Sequence, residues 1–414
     1  MNTSVAERTD DLIAVYKDLH SHPELSQHET RTAAIVAEKL RATGFDVTTD
    51  IGGHGLAGVL HRGQGPTVLL RADMDALPVA EQTGLDYAST VTTTDQNGQE
   101  VPVMHACGHD MHVTCMLGAA RVLAGDTDGW RGTLILVFQP AEELGTGAQA
   151  MIDDGLYKRV GTPDIVLGQH VSPLPAGMIG LRAGTSYAAS DGLRVVMHGK
   201  GSHGSRPEAS IDPVVMAAAT VMRLQTVVSR EIAGTDTAVL TIGAMHSGTK
   251  ENIIPDRAEL LMNVRTLDPA VRDRVLADIQ RIVDGEATTS GAPQPPEITE
   301  IESFPPVIND PDAVARLRTA FAKEFGAANI IDPGSGTGSE DVGRLATAAN
   351  AACAYWLLGG ADPAPFKGAT DMGDIMKVLK DVPSNHSPKY APVIEPTLDI
   401  GIAALVRAAR TFAN

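Results

Sequence analysis

Cysteine, aromatic residues and long apolar runs are all scarce in this sequence. Its 414 residues include only three cysteines, Cys107, Cys115 and Cys353, a pattern that does not indicate a disulfide framework. No apolar run approaches the roughly 18 residues of a membrane span, and the N-terminus lacks the basic and apolar segments of a secretory signal. We therefore expect a reduced, cytoplasmic protein that does not associate with a membrane.

Basic residues are also in deficit, with 33 Lys and Arg against 51 Asp and Glu, a net charge of −18. This balance argues against nucleic acid as a partner, because phosphate binding needs clustered lysine and arginine. Hydrophobic residues make up 43% of the chain, which is ordinary for a globular protein. The length exceeds that of one ordinary core and therefore indicates two domains, or one large domain with an insertion.

Three apolar segments each end in chemically active side chains. TVLLRADMD (67–75) ends in two carboxylates, TLILVFQPAEE (133–143) in two glutamates, and IVLGQHV (165–171) carries a histidine at its end. Apolar strands that deliver polar groups at their carboxyl ends are typical of an open α/β sheet with a site along that edge. We predict an α/β catalytic domain whose mostly parallel central sheet is flanked by helices.

The segment from about 190 to 300 has a different pattern, with elements in the order βαββαβ. Its first strand is GLRVVMHG, and its first helix begins with Asp212 as N-cap and Pro213 at the first helical position. This order predicts an inserted ferredoxin-like domain. We place the discontinuous catalytic domain at 1–188 and 304–414 and the inserted lid and dimerisation domain at 189–303. GLRVVMHG is predicted to be an exposed edge strand that pairs with a second subunit.

The stretch MHACGHDMH contains His105, Cys107, His109 and His112 within nine positions. A thiolate and an imidazole two residues apart on a turn can both point at one cation, and both suit zinc-like metals. By itself the Cys-x-His pattern is equally compatible with an incidental arrangement. His105 and His112 are assigned supporting roles.

Three further positions carry ligand-type residues. Glu142 and Glu143 follow a strand, where one carboxylate can bind metal while the other accepts a proton; the alternative is the solvated first turn of a helix. His170, which is predicted to end an apolar strand, and His386 in a polar turn each have an ordinary structural interpretation. Together, five residues supply enough ligands for two metal ions and a bridging water: Cys107, His109, Glu143, His170 and His386.

A cysteine nucleophile with a histidine partner is the competing interpretation of Cys107. It leaves both glutamates, His170 and His386 unexplained, and a metal-bound thiolate is a poor free nucleophile. We therefore favour the metal site.

Nine motifs occur in an order that resembles the M20 metallopeptidase/amidohydrolase family: RADMDALP, MHACGHDMH, QPAEE, GQHV, GSHGSRP, ENIIPD, NVRTLD, GSED and NHSP. The cysteine version of the motif is similar to the D branch, which includes hippurate hydrolases, N-acyl-amino-acid amidohydrolases and indole-acetyl-amino-acid hydrolases. The resemblance spans roughly residues 12–412.

The resemblance implies a binuclear metal site with the five ligands named above and Glu142 as general base. Asp75 is expected to orient a ligand histidine. Asp73 stands where related branches have a ligand histidine, so it is not counted as a ligand. Val342 replaces the usual aromatic residue after GSED, which affects the expected shape of the substrate pocket.

In the inserted domain, the resemblance implies that His203 stabilises the oxyanion, commonly in the active site of a partner subunit. It also implies that Asn252 and Arg265 contact the substrate, since a guanidinium suits a carboxylate. The alternatives are a surface-loop histidine and an intradomain salt bridge.

We therefore expect hydrolysis of N-acyl amino acids (N-acetyl, N-benzoyl or similar) to a carboxylic acid and a free amino acid, by a metal-bridged water with a glutamate base. The cofactors expected are two divalent ions, zinc or manganese, with cobalt or nickel as alternatives. A homodimer through the lid domain, or a higher oligomer, is expected. The alternatives are a dipeptidase or aminopeptidase of the same family and a non-catalytic protein that binds acylated amino acids.

Overall fold

The computed structural model describes residues 3–369 and 371–414, with side chains described from residue 11 onwards. The helices are α1 (Thr3–Ser21), α2 (Thr30–Ala42), α3 (His109–Gly125), α4 (Gly147–Asp153), α5 (Leu156–Val160), α6 (Pro213–Thr226), α7 (Pro269–Thr289), α8 (Pro311–Phe325), α9 (Val342–Ala349), α10 (Met372–Val378) and α11 (Ile394–Phe412). The strands are β1 (Asp46–Ile51), β2 (Gly55–Arg62), β3 (Thr67–Asp73), β4 (Thr92–Thr94), β5 (Glu100–Pro102), β6 (Gly132–Gln139), β7 (Ile165–Pro175), β8 (Ile179–Gly180), β9 (Gly184–Tyr187), β10 (Ala189–His198), β11 (Ser202–His203), β12 (Ala238–Ser247), β13 (Ile253–Ile254), β14 (Arg257–Thr266), β15 (Glu297–Phe304), β16 (Val307–Asn309), β17 (Ile330–Ile331) and β18 (Ala352–Ala361).

The chain folds into two compact units, each with its own hydrophobic core. The first comprises the described residues up to Ser186 together with Ile308–Gly334 and Asp341–Asn414, and the second comprises Tyr187–Val307 and Ser335–Glu340. Residues 335–340, which the predicted boundaries place in the catalytic domain, pack with the second unit. The GSED motif is therefore divided, and its Asp341 belongs to the first unit.

The first unit is built around an eight-stranded sheet in the order β1-β2-β6-β3-β7-β18-β8-β17. Strands β6, β3, β7 and β18 run parallel and form its centre. β3 and β6 are buried on both faces, which explains why their sequences are continuous apolar runs rather than alternating ones. Helices pack against this sheet, among them α3, α9 and α11. The predicted mostly parallel sheet flanked by helices is confirmed.

β7 is longer than the sequence indicated. We predicted that the strand ends at His170, and this is wrong, because β7 continues to Pro175. It pairs with β3 only as far as Gly168, whereas β18 remains its partner up to Pro175. His170 therefore lies beyond the last β3 pair, at the carboxyl side of the parallel strands, where β18 alone supports the extended backbone.

The second unit contains an antiparallel sheet in the order β12-β14-β10-β15. Helices α6 and α7 pack on each other and on this sheet. The chain order β10, α6, β12, β14, α7, β15 is the predicted βαββαβ arrangement, and the strand order is that of a ferredoxin-like unit. Alternating buried and partly exposed residues along β14 indicate that one face of the sheet is covered.

The prediction that GLRVVMHG forms an exposed edge is wrong. This segment lies in β10, which pairs with β14 on one side and β15 on the other. Its residues are almost all buried, as expected for a central strand. The edge strands of this sheet are β12 and β15.

Three helices begin with an Asp-Pro pair. The carboxylates of Asp212, Asp268 and Asp310 accept first-turn backbone N–H groups at 2.9, 2.8 and 2.8 Å at the starts of α6, α7 and α8. The following proline has no N–H to satisfy and is pre-set for the helix. None of the helices in the described part of the chain is long and apolar enough to cross a membrane.

Candidate metal centre

The MHACGHDMH segment forms a turn that leads into α3. Gly108 precedes the helix with φ +83°, a conformation that glycine adopts without strain. A Cβ at this position would lie 2.5 Å from a methyl carbon of Val171. The close approach of this turn to β7 therefore requires glycine, and it places Cys107 and His109 beside His170.

The QPAEE segment turns sharply after β6. Ala141 has φ +48°, which is uncommon for a residue with a side chain. The backbone N–H of Ala141 donates to Glu29 Oε1 at 2.8 Å, and that of Glu143 donates to Asp75 Oδ2 at 2.9 Å. Two buried carboxylates thus hold the turn that presents Glu142 and Glu143.

The five ligand candidates lie in the first unit, where they form two groups that share Cys107. Cys107, His109 and His170 have ligand atoms within 4.8 Å of one another, and so do Cys107, Glu143 and His386. Cys107 Sγ lies 3.5 Å from His170 Nε2, and His386 Nε2 lies 3.4 Å from Glu143 Oε2. The structure thus brings together residues that lie up to 279 positions apart in the sequence.

Hydrogen bonds orient the histidine rings of this cluster. His109 Nδ1 lies 3.2 Å from Asp75 Oδ1, and His170 Nδ1 donates to the carbonyl oxygen of Val171 at 2.7 Å. With the proton on Nδ1, the lone pair on Nε2 of each ring is available to a cation. His109 Nε2 and Glu143 Oε1 are buried and have no hydrogen-bond partner. Sulfur, imidazole and carboxylate donors with unsatisfied buried atoms fit a zinc-type ion.

The electrostatics of the cluster also favour a cation. Burial alone would lower the pKa of His109, but the carboxylates of Asp73 and Asp75 outweigh it and raise the pKa to about 10. Burial, reinforced by Glu143, raises the pKa of the Cys107 thiol well above its ordinary value. A nucleophilic cysteine needs a lowered pKa, so this environment does not suit the competing cysteine-hydrolase interpretation.

Two contributing residues, Asn385 and His112, were missed or only partly anticipated by sequence reasoning. Asn385 Nδ2 donates to the carbonyl oxygens of Cys107 and Val171 at 3.0 and 3.2 Å, which ties the NHSP loop to two ligand-bearing segments. His112 lies between Asp73 and the backbone of Val171. The only sequence signal for Asn385 was its position next to the ligand candidate His386.

The three remaining candidates lie in the second unit. His203 is exposed on β11, which pairs with β13, so that His203 lies opposite Ile253, the residue after Asn252. Arg265, on β14, donates from Nη1 to the carbonyl oxygen of Thr337 at 2.7 Å and to Ser339 Oγ at 3.2 Å. Within the described residues no carboxylate forms an ion pair with Arg265, so the intradomain salt bridge considered above is not found.

Glu29, one of the two buried carboxylates that hold the QPAEE turn, has a pKa that can be tested. Its Oε2 has no hydrogen-bond partner, and burial, with a contribution from Asp75, raises the pKa of Glu29 to about 7. In the unfolded chain this carboxyl releases its proton near pH 4.5, whereas in the folded protein it keeps the proton up to about pH 7. The free energy of unfolding therefore falls as pH rises from 4.5 to 7. This loss of stability is absent below about pH 4.5, complete above about pH 7, and at most about 3 kcal/mol.

Glu29→Gln is therefore expected to gain thermal stability relative to the wild type as pH rises from 5 to 8. The measurement is the difference in Tm between the two metal-free proteins at each pH. Glu24→Gln, which removes another carboxylate that accepts backbone N–H groups, is the control. Parallel Tm curves for wild type and Glu29→Gln would contradict the raised pKa.

Comparison with known proteins gives consistent matches. The sequence matches the model of Peptidase family M20/M25/M40 over residues 69–382. It is 35% identical to the N-acetyl-L-cysteine deacetylase of Bacillus subtilis, over 82% of this chain and 78% of that protein. It is 34% identical to thermostable carboxypeptidase 1 of Saccharolobus solfataricus, over 100% and 98% of the two chains. It also resembles the solved Bacillus subtilis YXEP protein, a dinuclear metal binding peptidase from the M20 family, with a TM-score of 0.77, 28% identity and 98% of each chain covered.

Proposed function

The chain belongs to Peptidase family M20/M25/M40 and is a metal-dependent hydrolase, and from this premise we propose that it hydrolyses the amide bond of N-acyl amino acids. The products are a carboxylic acid and a free amino acid. The observation that carries the proposal is the pair of ligand groups that share Cys107, with Glu142 beside them. The similarity to an N-acetyl-L-cysteine deacetylase supports an acylated amino acid as the substrate class.

Two divalent ions are proposed as cofactors, with zinc or manganese preferred and cobalt or nickel as alternatives. The residues that would hold them are Cys107, His109, Glu143, His170 and His386, and Cys107 belongs to both ligand groups. Such ions supply Lewis acidity and lower the pKa of water. Asp75 holds the His109 ring through Nδ1, which leaves Nε2 for coordination.

Glu142 is proposed as the general base. Its side chain is buried, and Glu142 Oε2 lies 4.0 Å from His109 Nε2. In this role its carboxylate takes a proton from the attacking water and then delivers that proton to the leaving nitrogen. The adjacent Glu143 lies near both His386 and His109, and we assign it to metal binding rather than to proton transfer.

His203 is proposed to stabilise the oxyanion, in the active site of a partner subunit. The backbone N–H of Ser205 donates to His203 Nδ1 at 3.0 Å, so the neutral ring carries its proton on Nε2. An exposed Nε2–H donor is what an oxyanion requires.

His203→Ala is expected to lower kcat by about 10²–10³-fold, with metal content unchanged. Steady-state kinetics and elemental analysis of the same preparations test this. Ser205→Ala is the matched control: it removes the hydroxyl that lies 2.8 Å from His203 Nδ1 but keeps the backbone N–H that fixes the tautomer, so its kcat should stay near normal. A near-normal kcat for His203→Ala would remove His203 from the reaction.

Arg265 and Asn252 are proposed to bind the substrate carboxylate and amide region. Two bonds from Arg265 Nη1 to the 335–340 segment fix the guanidinium, and its other N–H groups are available to a carboxylate. A free carboxylate is common to N-acyl amino acids and to the C-terminal residue of a peptide. Both therefore present the same group to Arg265.

A homodimer through the second unit is proposed, now through β12 rather than β10. β12 is an edge strand that exposes Val239 and Met245, and α6 exposes Val215 and Met222, the last two by 65% and 72%. Exposed apolar side chains on an unpaired edge mark association surfaces. Gel filtration that shows a fully active monomer would contradict both the dimer and the cross-subunit role of His203.

A cytoplasmic location is also proposed, since all three cysteines are free and buried.

A carboxypeptidase acting on short peptides is the second candidate, favoured by the full-length similarity to a thermostable carboxypeptidase. The deciding experiment measures release of free amino acid from N-acetyl, N-benzoyl and longer N-acyl amino acids and from dipeptides. The enzyme is loaded with zinc or manganese and assayed with and without a chelator. Release from N-acyl substrates that a chelator abolishes supports the proposal, whereas release from peptides alone favours the second candidate. No release from any substrate would overturn both.

A further inference from the structure

Asp341, the last residue of the GSED motif, has no role in the function proposed above. Its carboxylate is fully buried. Asp341 Oδ1 accepts from Arg71 Nη2 at 3.0 Å and from Gln139 Nε2 at 2.7 Å, and Oδ2 accepts from the backbone N–H of Ala148 at 3.1 Å. Asp341 therefore joins the ends of β3 and β6 and the start of α4.

Arg71 continues this chain of contacts toward the candidate metal centre. It is a buried arginine that directly follows the apolar residues 68–70 of β3. Besides Asp341, Arg71 donates from Nη1 to Asp73 Oδ2 at 2.7 Å and from Nε to Gln139 Oε1 at 2.9 Å. The planar guanidinium thus holds two carboxylates in fixed relative positions.

Asp73 in turn forms a hydrogen bond with His112. Asp73 Oδ1 lies 2.5 Å from His112 Nδ1, and the backbone N–H of Val171 donates to His112 Nε2 at 2.8 Å. Because Nε2 accepts from a backbone N–H, the ring proton is on Nδ1, where it is donated to Asp73. Both nitrogens of His112 are therefore used, and the ring anchors the residue that follows His170.

We propose that Asp341 is a positioning residue for the metal ligand His170, acting through Arg71, Asp73 and His112. The inference rests on the proposed function, because it assumes that His170 binds a metal ion. Asp341 and Asp73 balance the charge of Arg71 from two sides, and the oriented Asp73 carboxylate selects the His112 tautomer that can hold Val171. The backbone of Val171 in turn accepts the Nδ1–H of His170, which aims Nε2 at Cys107.

The test is zinc affinity of the full-length protein, measured by competition with a chelator. Loss of a direct partner of a metal ligand typically costs about 10–100-fold in affinity. Asp341 acts through three other side chains, so Asp341→Asn is expected at the lower end of this range, about tenfold. Hydrolysis rates are not the readout, because an Asp341 oxygen also lies within 4.8 Å of a Glu142 oxygen. Zinc affinity equal to that of the wild type would overturn the proposal.

Asp191→Asn is the matched control. Asp191 is equally buried and accepts from Arg272 Nε at 2.8 Å, but it lies in the second unit. The control is expected to lose thermal stability while its zinc affinity stays within about twofold of the wild type, since no ligand depends on it. A loss of affinity equal to that of Asp341→Asn would show a general effect of destabilisation and would overturn the proposal.

A second measurement uses the wild-type metal-free protein and does not depend on folding of a variant. Long-range ¹H–¹⁵N NMR of the histidine side chains reports which ring nitrogen of His112 is protonated. The proposal expects the Nδ1–H form, and the Nε2–H form would overturn it. Wild-type protein that shows the Nδ1–H form of His112 but binds none of zinc, manganese, cobalt and nickel would instead overturn the proposed function, so the two failures are distinguishable.

Discussion

Glu142→Gln is expected to lower kcat by about 10³-fold while the metal content remains at the wild-type level. An amide has the size of the carboxylate but cannot accept a proton from the attacking water, and a general base typically contributes about 10²–10⁴-fold. Glu142 is not among the five proposed ligands, so removing its charge leaves the donor set intact. Kinetics with an N-acyl amino acid, combined with elemental analysis, give both quantities on one preparation.

Glu143→Gln is the control for this prediction, because it makes the same chemical change at the next residue. Glu143 Oε2 lies 3.4 Å from His386 Nε2, and its buried Oε1 has no hydrogen-bond partner and lies 3.8 Å from His109 Nε2, as expected of a ligand. Glu143→Gln should therefore lose metal, and its activity should recover in part at high metal concentration. If Glu142→Gln retained near-normal activity, or lost metal as Glu143→Gln does, the division of tasks between the two residues would be wrong.

The apolar strands of the first unit were the most predictable part of the fold. The apolar runs that form β3 and β6 are long and bounded by polar residues, so the sequence alone identified them as strands. Their burial on both faces explains why these runs are continuous. The end of β7 was not, because it depends on pairing with β18, about 190 residues away. The central position of β10 also depends on two distant partners, β14 and β15. One signal was present in the sequence: the GLRVVM part of β10 is largely apolar, and β10 is buried almost throughout, whereas a half-exposed edge strand would alternate apolar and polar residues.

The family resemblance that the motifs indicated is confirmed by the match over residues 69–382. Motif residues such as Cys107 and Glu142 could be selected because their chemistry is unusual at strand ends. The partners of buried charges were harder to predict. The sequence places one acid, Asp73, two residues after Arg71, but nothing local shows that the second acid is Asp341, 270 positions away. Glu29 lies immediately before α2, and its contact with Ala141, more than 100 positions away, is set by tertiary packing.

Cys107 variants separate the metal centre from a cysteine nucleophile. Cys107 is the only described residue common to the two ligand groups that contain His170 and His386, so its loss should weaken both ions at once. Since even an outer partner of a ligand is worth about 10–100-fold in metal affinity, Cys107→Ala is expected to lose more than about 100-fold. Its activity at limiting zinc should fall accordingly. Cys115→Ala removes another buried thiol outside both groups and should leave zinc affinity unchanged.

Cys107→Asp gives the sharper outcome. A carboxylate can also be shared between two ions but is a harder ligand than a thiolate, so the variant should shift its preference from zinc toward manganese. We expect measurable hydrolysis of an N-acyl amino acid by the manganese-loaded variant, together with complete loss in Cys107→Ala at the same metal concentration. A nucleophilic mechanism requires the sulfur atom itself and predicts that both variants are inactive with every metal. Because burial, and after it the surrounding carboxylates, raise the pKa of the Cys107 thiol, the sulfur is not suited to attack the substrate, whereas those same carboxylates favour a bound cation.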